Sequence, residues 1–151
     1  MSRAATILVG GEVTAPLKVL DEPLSFWGGF DSATGLIIDR HHPQFGDRLT
    51  GLAVHLPASR GSSSASSVLV EAVRAHTAPA ALLLATPDQI LLLGALVAYE
   101  LYGRGPTVVL LETSHPIAER HPDPWPETRL TVTARGELQL HPSGARETQE
   151  E

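Results

Sequence analysis

Apolar and polar positions along this chain recur with two different periods. Thr6 to Val9 and Glu12 to Leu20 place β-branched residues between turn formers, which predicts two short strands. LAVHL at Leu52 to Leu56, the run from Ala80 to Leu84 and the run from Thr107 to Leu111 read as three buried strands. Between them the period lengthens. Val68, Leu69, Ala72, Val73 and His76 share one helical face, and a more apolar helix starts at Pro87 or Asp88 and runs to about Tyr102, before a Gly-Arg-Gly-Pro break. The order is β-α-β-α-β. Ahead of it, DEPLSFWGGFDSATGLIIDRHHPQFGD reads as a structured loop holding a short LIID strand. Behind it, SHPIAERHPDPWPE is a proline-punctuated excursion, LTVTARGELQL a hairpin turning at Arg-Gly, and HPSGARETQEE a frayed tail. This mixture favours a small α/β or β/β/α domain over a pure Rossmann unit.

Composition narrows the picture. At 151 residues the chain suits one domain, with 1–143 as its extent and 144–151 as a disordered acidic tail. The net charge of −6 comes mostly from residues 112–151, with eight acidic and four basic groups; no basic stripe offsets it, so nucleic acid is not an expected partner. There is no cysteine, which excludes disulfides, thiolate metal sites and a cysteine nucleophile on this chain. MSRAATILVGG supports neither a signal nor a transit peptide, and Pro87 and Asp88 interrupt the most apolar region, so a cytoplasmic protein without a membrane span is expected.

The strongest local chemistry lies in Arg60-Gly61-Ser62-Ser63-Ser64-Ala65-Ser66. Small residues let the backbone approach a ligand, and a helix N-terminus presents unpaired N–H groups to an anion. A bland reading stands beside this one: a tight turn, with Ser64 or Ser66 capping the helix and Arg60 pairing with a surface carboxylate. Neither a phosphate-binding P-loop nor a Gly-x-Ser-x-Gly elbow is present. A serine acts as a base only if N–H groups or cations stabilise its alkoxide. His41 and His42 follow Asp39-Arg40 and precede Pro43, which suits a polar rim or backbone-bonded role better than a metal site. His55 reads as structural and His76 as closing a helix face, and no histidine shows a ligand spacing. Phe26-Trp27-Gly28-Gly29-Phe30 fits either a loop against a cleft or core packing. The apolar circumference of the second helix suggests burial on a sheet and against another subunit.

Taken in order, EPLSFWGG, DSATGLIIDRHHP, LPASRGSSSASSVLVEA and ILLLGALVAYELYG closely resemble the small, swivelling-domain subunit of the aconitase X family, over about residues 10–111. The resemblance implies an aconitase-like swivelling β/β/α domain that closes a cavity in a large subunit, with any iron or iron-sulfur cluster held there and no cofactor on this chain. It implies a hydro-lyase acting on a small hydroxylated acid, either cis-3-hydroxy-L-proline or mevalonate 5-phosphate; the Ala/Arg-rich, Lys-poor composition and an acidic C-terminal segment without a phosphate site favour the first, and a non-catalytic swivel-fold binding module is the alternative. Ser62 is then the candidate base, with Arg60, Gly61, Ser63, Ser64 and Arg40 as substrate contacts. Ser25, Phe26, Trp27, Gly28, Gly29, Asp39, His41 and His42 become interface or cleft residues. Aconitase proper carries an arginine after its two serines; this chain has Ser64 there, so carboxylate recognition must differ or rely on Arg60, Arg40 or the large subunit. In isolation the chain offers its apolar helix and a strand edge for self-association.

Overall fold

The computed structural model describes residues 5–58, 60–112, 117 and 128–142. Among these, β1 (Ala5–Val9), β2 (Val13–Val19), β3 (Ala53–Leu56), β4 (Ala81–Leu84), β5 (Thr107–Leu111), β6 (Thr128–Val132) and β7 (Leu138–Pro142) form one sheet in the order β1-β5-β4-β3-β2-β6-β7. Strands β2, β3, β4 and β5 run parallel, while β1, β6 and β7 pair antiparallel with their neighbours. The helical elements are α1 (Phe26–Gly29), α2 (Ala65–Arg74) and α3 (Gln89–Tyr102).

The sheet cannot be flat. Only Gly10 to Glu12 separate β1 from β2, yet three strands lie between them in the sheet. A flat sheet would put them about 19 Å apart, and four residue steps reach about 14 Å at most. The sheet therefore curls back on itself. Pairing along β2 shows where it bends: Val13 to Pro16 pair with β6, and Leu17 to Val19 pair with β3. Pro16, which has no N–H to donate, sits at this handover.

Alternation along the strands then builds two cores. Val54, Leu56, Leu82, Leu84 and Val108 face the helices and pack with Leu69, Ala72, Leu91 and Ala95. Ala53, Ala81, Leu83, Val109 and Leu111 face the other way, toward Ala15, Leu130, Val132, Leu138 and Ile117. This is the expected β/β/α layering. His55, 1% exposed, is buried in β3, in keeping with its structural reading. The C-terminal hairpin also forms, turning through Ala134, Arg135 and Gly136, with Gly136 at φ +81°.

Helices α2 and α3 cross closely because Gly94 has no side chain. A Cβ there would lie 2.9 Å from the Ser66 carbonyl oxygen and 3.2 Å from Leu69 Cδ2. At the start of α3, Asp88 Oδ1 accepts the N–H groups of Ile90 and Leu91, both at 3.0 Å. The helix ends at Gly103, left-handed at φ +67°. Its buried face is Leu91, Gly94, Ala95 and Ala98, whereas Leu93, Leu96, Val97 and Leu101 are exposed. Burial is thus confined to one face of this apolar helix. No helix among the described residues is long and apolar enough to cross a membrane.

Tyr99 ties the end of α3 to the approach of β5 by donating to the Gly105 carbonyl at 2.7 Å. Burial pushes its phenol above the ordinary tyrosine range, against an opposing hydrogen bond from Thr107. The folded state therefore favours the protonated phenol. That contribution is complete below the ordinary value near about 10 and disappears as pH rises through the raised one. Urea titrations on either side of about pH 10 should show a smaller alkaline loss of stability in Tyr99→Phe than in the wild type.

Three local expectations are corrected. The LIID strand shrinks to isolated bridges, Leu36 to Arg48 and Phe30 to Ile37, because Gly35 at φ +76° and the turn at Asp39 leave too few extended residues. His76 does not close a helix face, since it lies beyond Arg74 with a left-handed φ of +60°. Ser64, at the N-cap of α2, makes no side-chain capping bond, and the Ser66 hydroxyl donates to the Ser63 carbonyl instead. The tail at 144–151 lies outside the described residues, as does the proline-punctuated excursion apart from the buried Ile117.

Candidate functional site

Strands β3 and β4 are parallel neighbours, so the loops leaving their carboxyl ends open at the same end of the sheet. One loop carries the serines into α2, and the other carries Asp88 into α3. They meet in a cleft lined by Phe26, Arg60, Gly61, Ser62, Ala65, Asp88, Ile90 and Leu91. Its free volume is about 20 Å³, room for about one water molecule and too little for an organic acid. A substrate bound here must be enclosed from outside as well.

Ser62 is half-buried, and its Oγ accepts the Ser64 backbone N–H at 3.1 Å. It thus supplies the local hydrogen bond expected of Ser64 or Ser66, and its oxygen sits where the N-terminus of α2 favours negative charge. Ser63 is exposed and Ser64 half-buried, with their carbonyls occupied by the Ser66 and Ser67 hydroxyls. Arg60 is exposed at the cleft mouth.

Gly61 seats this loop. Its φ is +135°, and a Cβ would lie 2.6 Å from Ser25 Oγ, whose hydroxyl donates to the Trp27 carbonyl. Gly61→Ala should therefore cost about 1–3 kcal/mol of strain, read as a lower Tm, and move Ser62 relative to Ser25. A variant with wild-type Tm would show that the loop rearranges without cost.

The aromatic cluster divides between its two readings. Phe26 and Phe30 are buried with ring centroids 5.0 Å apart, while Trp27 is 57% exposed. Gly28 at φ +79° breaks the helical turn so that the chain can reverse there. Gly29 lies against Asp39, and its carbonyl accepts the Ile38 N–H. Asp39 in turn accepts the His41 N–H, forming a tight turn on which Arg40 and His41 are exposed and outside the cleft lining. His42 is 4% exposed, its Nδ1 accepting the Gln44 N–H and its Nε2 bonded to the Glu22 carbonyl. This is the backbone-bonded role. Gln44 completes the clasp by donating to the Val19 carbonyl and accepting the Asp21 N–H.

Asp88, Ile90 and Leu91 are not among the residues the sequence places here. Thr86-Pro87-Asp88 reads as a helix start, and its place beside Ser62 follows only from the parallel pairing of β3 with β4. No group of three or more His, Asp or Glu side chains among the described residues could hold a metal, and the chain has no cysteine. The described residues do not fit an iron site.

Residues 2–123 match the profile of the family described as the aconitase X swivel domain. The chain belongs to that family. As a swivel domain it is 44% identical over 135 residues to cis-3-hydroxy-L-proline dehydratase of Pseudomonas aeruginosa, covering 89% of this chain and 22% of that protein. It is 36% identical over 92 residues to the phosphomevalonate dehydratase small subunit of Methanothermobacter thermautotrophicus, covering 61% of this chain and 70% of that one. The swivel domain thus spans about a fifth of the length of the hydroxyproline dehydratases it matches. Its fold matches the crystal structure of Thermococcus kodakaraensis aconitase X in the holo form, with a TM-score of 0.75 at 22% identity over 93% of this chain and 99% of that one.

Proposed function

We propose that this swivel domain is the small subunit of an aconitase X-type dehydratase acting on cis-3-hydroxy-L-proline, with Ser62 as the base. The observation that carries the reading is the place of Ser62, half-buried in a cleft at the start of α2 with an N–H aimed at its oxygen. Similarity to the Pseudomonas aeruginosa enzyme over most of the chain supports this choice of substrate. A cleft that holds about one water suits a cavity completed by a large subunit.

In this reading the Ser64 N–H, the α2 N-terminus and Arg60 favour loss of the Ser62 hydroxyl proton. The Ser62 alkoxide then takes the proton on the carbon beside the substrate carboxylate. The electron pair of that C–H bond forms a double bond to the neighbouring carbon as its C–O bond breaks, and the departing hydroxide leaves as water by taking up the proton that Ser62 released, relayed through solvent. Atoms and charge balance. Assistance to the leaving hydroxyl belongs to the large subunit, since the described residues hold no metal-ligand set. Arg60 holds the substrate carboxylate at the mouth, with Gly61, Ser63 and Ser64 shaping the nest. Arg40, His41 and Asp39 lie on the rim beside Gly29, where exposed Trp27 and Ile38 give the large subunit an apolar contact.

The test is anaerobic co-expression with the aconitase X large subunit of the same organism, followed by dehydration assays on cis-3-hydroxy-L-proline and mevalonate 5-phosphate. Turnover of the first is the expected result. Turnover of only the phosphate ester, or none from an assembled complex with a full iron content, overturns the proposal.

A further inference from the structure

We infer that the groove at the far end of α2 from Ser62 is a binding site for a small carboxylate that carries no ammonium group. Thr50 and Gly51 lie just ahead of β3, Ala78 just ahead of β4 and Gly105 just ahead of β5, so the groove opens at the end of the sheet opposite the serine loop. The ten residues of α2 set the two about 15 Å apart. Its free volume is about 260 Å³, against about 20 Å³ beside Ser62. Since a cavity of about 150 Å³ already admits benzene, this groove has room for a small ring bearing one polar group.

The wall selects the ligand. Arg104 is exposed, and its Nη2 donates to the Val73 carbonyl at 3.0 Å and lies 3.4 Å from His76 Nε2. Its guanidinium also sits over the Tyr102 ring, 5.6 Å from the centroid. These contacts hold the cation and offset the partial negative charge at the end of α2, but they do not neutralise it. Arg104 has no carboxylate partner among the described residues, and the N–H groups on its Nε and Nη1 have no acceptor there. Arg74, one turn of α2 earlier, is already paired with Glu71. His76 is the only non-glycine residue with a left-handed φ among the described residues, at a position glycine fills without strain, and that backbone brings its imidazole to the same wall. The lining holds no aspartate or glutamate, so an anion finds a counter-charge here and an ammonium group does not.

Three ligands built on one ring separate these effects: cyclopentanecarboxylate, its neutral amide and the zwitterion L-proline. Each would be titrated into the full chain while backbone amide shifts are followed by NMR. Cyclopentanecarboxylate should move the Gly51, Ala78 and Gly105 resonances and bind about 5-fold more tightly than the amide, the upper end for an exposed ion pair. L-proline should bind no better than the amide. Arg104→Gln should abolish the preference for the acid and leave the affinity for the amide unchanged, and Arg104→Lys, which keeps the charge, should retain most of it. Shifts confined to other residues, an equal loss of acid and amide in Arg104→Gln, or L-proline bound in this groove as tightly as the acid overturns the inference. The wild-type shifts locate the ligand without any variant, and none of these readouts depends on Ser62 or on turnover.

Discussion

Replacing Ser62 with alanine in the assembled complex should lower kcat by about 10²–10⁴-fold, the usual contribution of a positioned base. The melting temperature and the affinity for the large subunit should barely change. The substitution removes one oxygen from a half-buried position, and the Ser64 N–H it strands is close enough to the surface for water to take over. Ser63→Ala is the informative control. Its side chain is exposed, and Ser63 shapes the nest through its backbone, which the substitution leaves in place, so turnover should stay within several-fold of wild type. Steady-state kinetics on complexes purified in parallel make the comparison. A Ser62→Ala complex with full turnover would remove Ser62 from the base role and leave the fold untouched.

The largest effect on stability is expected from Leu69→Ala. Leu69 is completely buried on α2, and its Cδ2 approaches the bare backbone of Gly94 on α3. Truncation opens a cavity among α2, α3 and the helix-facing sheet residues, where the surroundings are held by backbone and cannot collapse inward. The cost should be about 3–4 kcal/mol, seen as a Tm lowered by about 10 °C and a reduced urea midpoint with unchanged slope. Activity at low temperature should fall as well, since Ser66, on which Gly94 packs, is one turn from Ser62. A loss below about 1 kcal/mol would mean that the helices close the gap, against the tight crossing at Gly94.

The central β-α-β-α-β unit is readable because each of its signals is local. Asp88 before an apolar helix, Gly103 after it, and Val54, Leu82 and Val108 in short valine- and leucine-rich strands state their structure within a few residues. What depends on distant pairing is hidden. Nothing in Val13 to Val19 announces that half of the strand serves β6 and half β3. His42 sits in a polar stretch and looks like a rim residue, yet Glu22 and Gln44 draw it inside. The serine loop is legible from its run of small residues, but its seat on Ser25 is a contact between distant segments, at which spacing gives no hint. Asp88 is hidden as a cleft residue because its capping role explains it fully in one dimension.

The pairing of β1 with β5 sets a timetable for making the protein. Thr6 to Val9 leave the ribosome about 100 residues before their partners, Val108 to Leu110. At a synthesis rate of about 5–20 residues per second, that strand waits on the order of 5–20 seconds with an apolar edge and no mate. Strand β1 therefore spends that interval unpaired, and β5, the last parallel strand to appear, is the one that lets it dock.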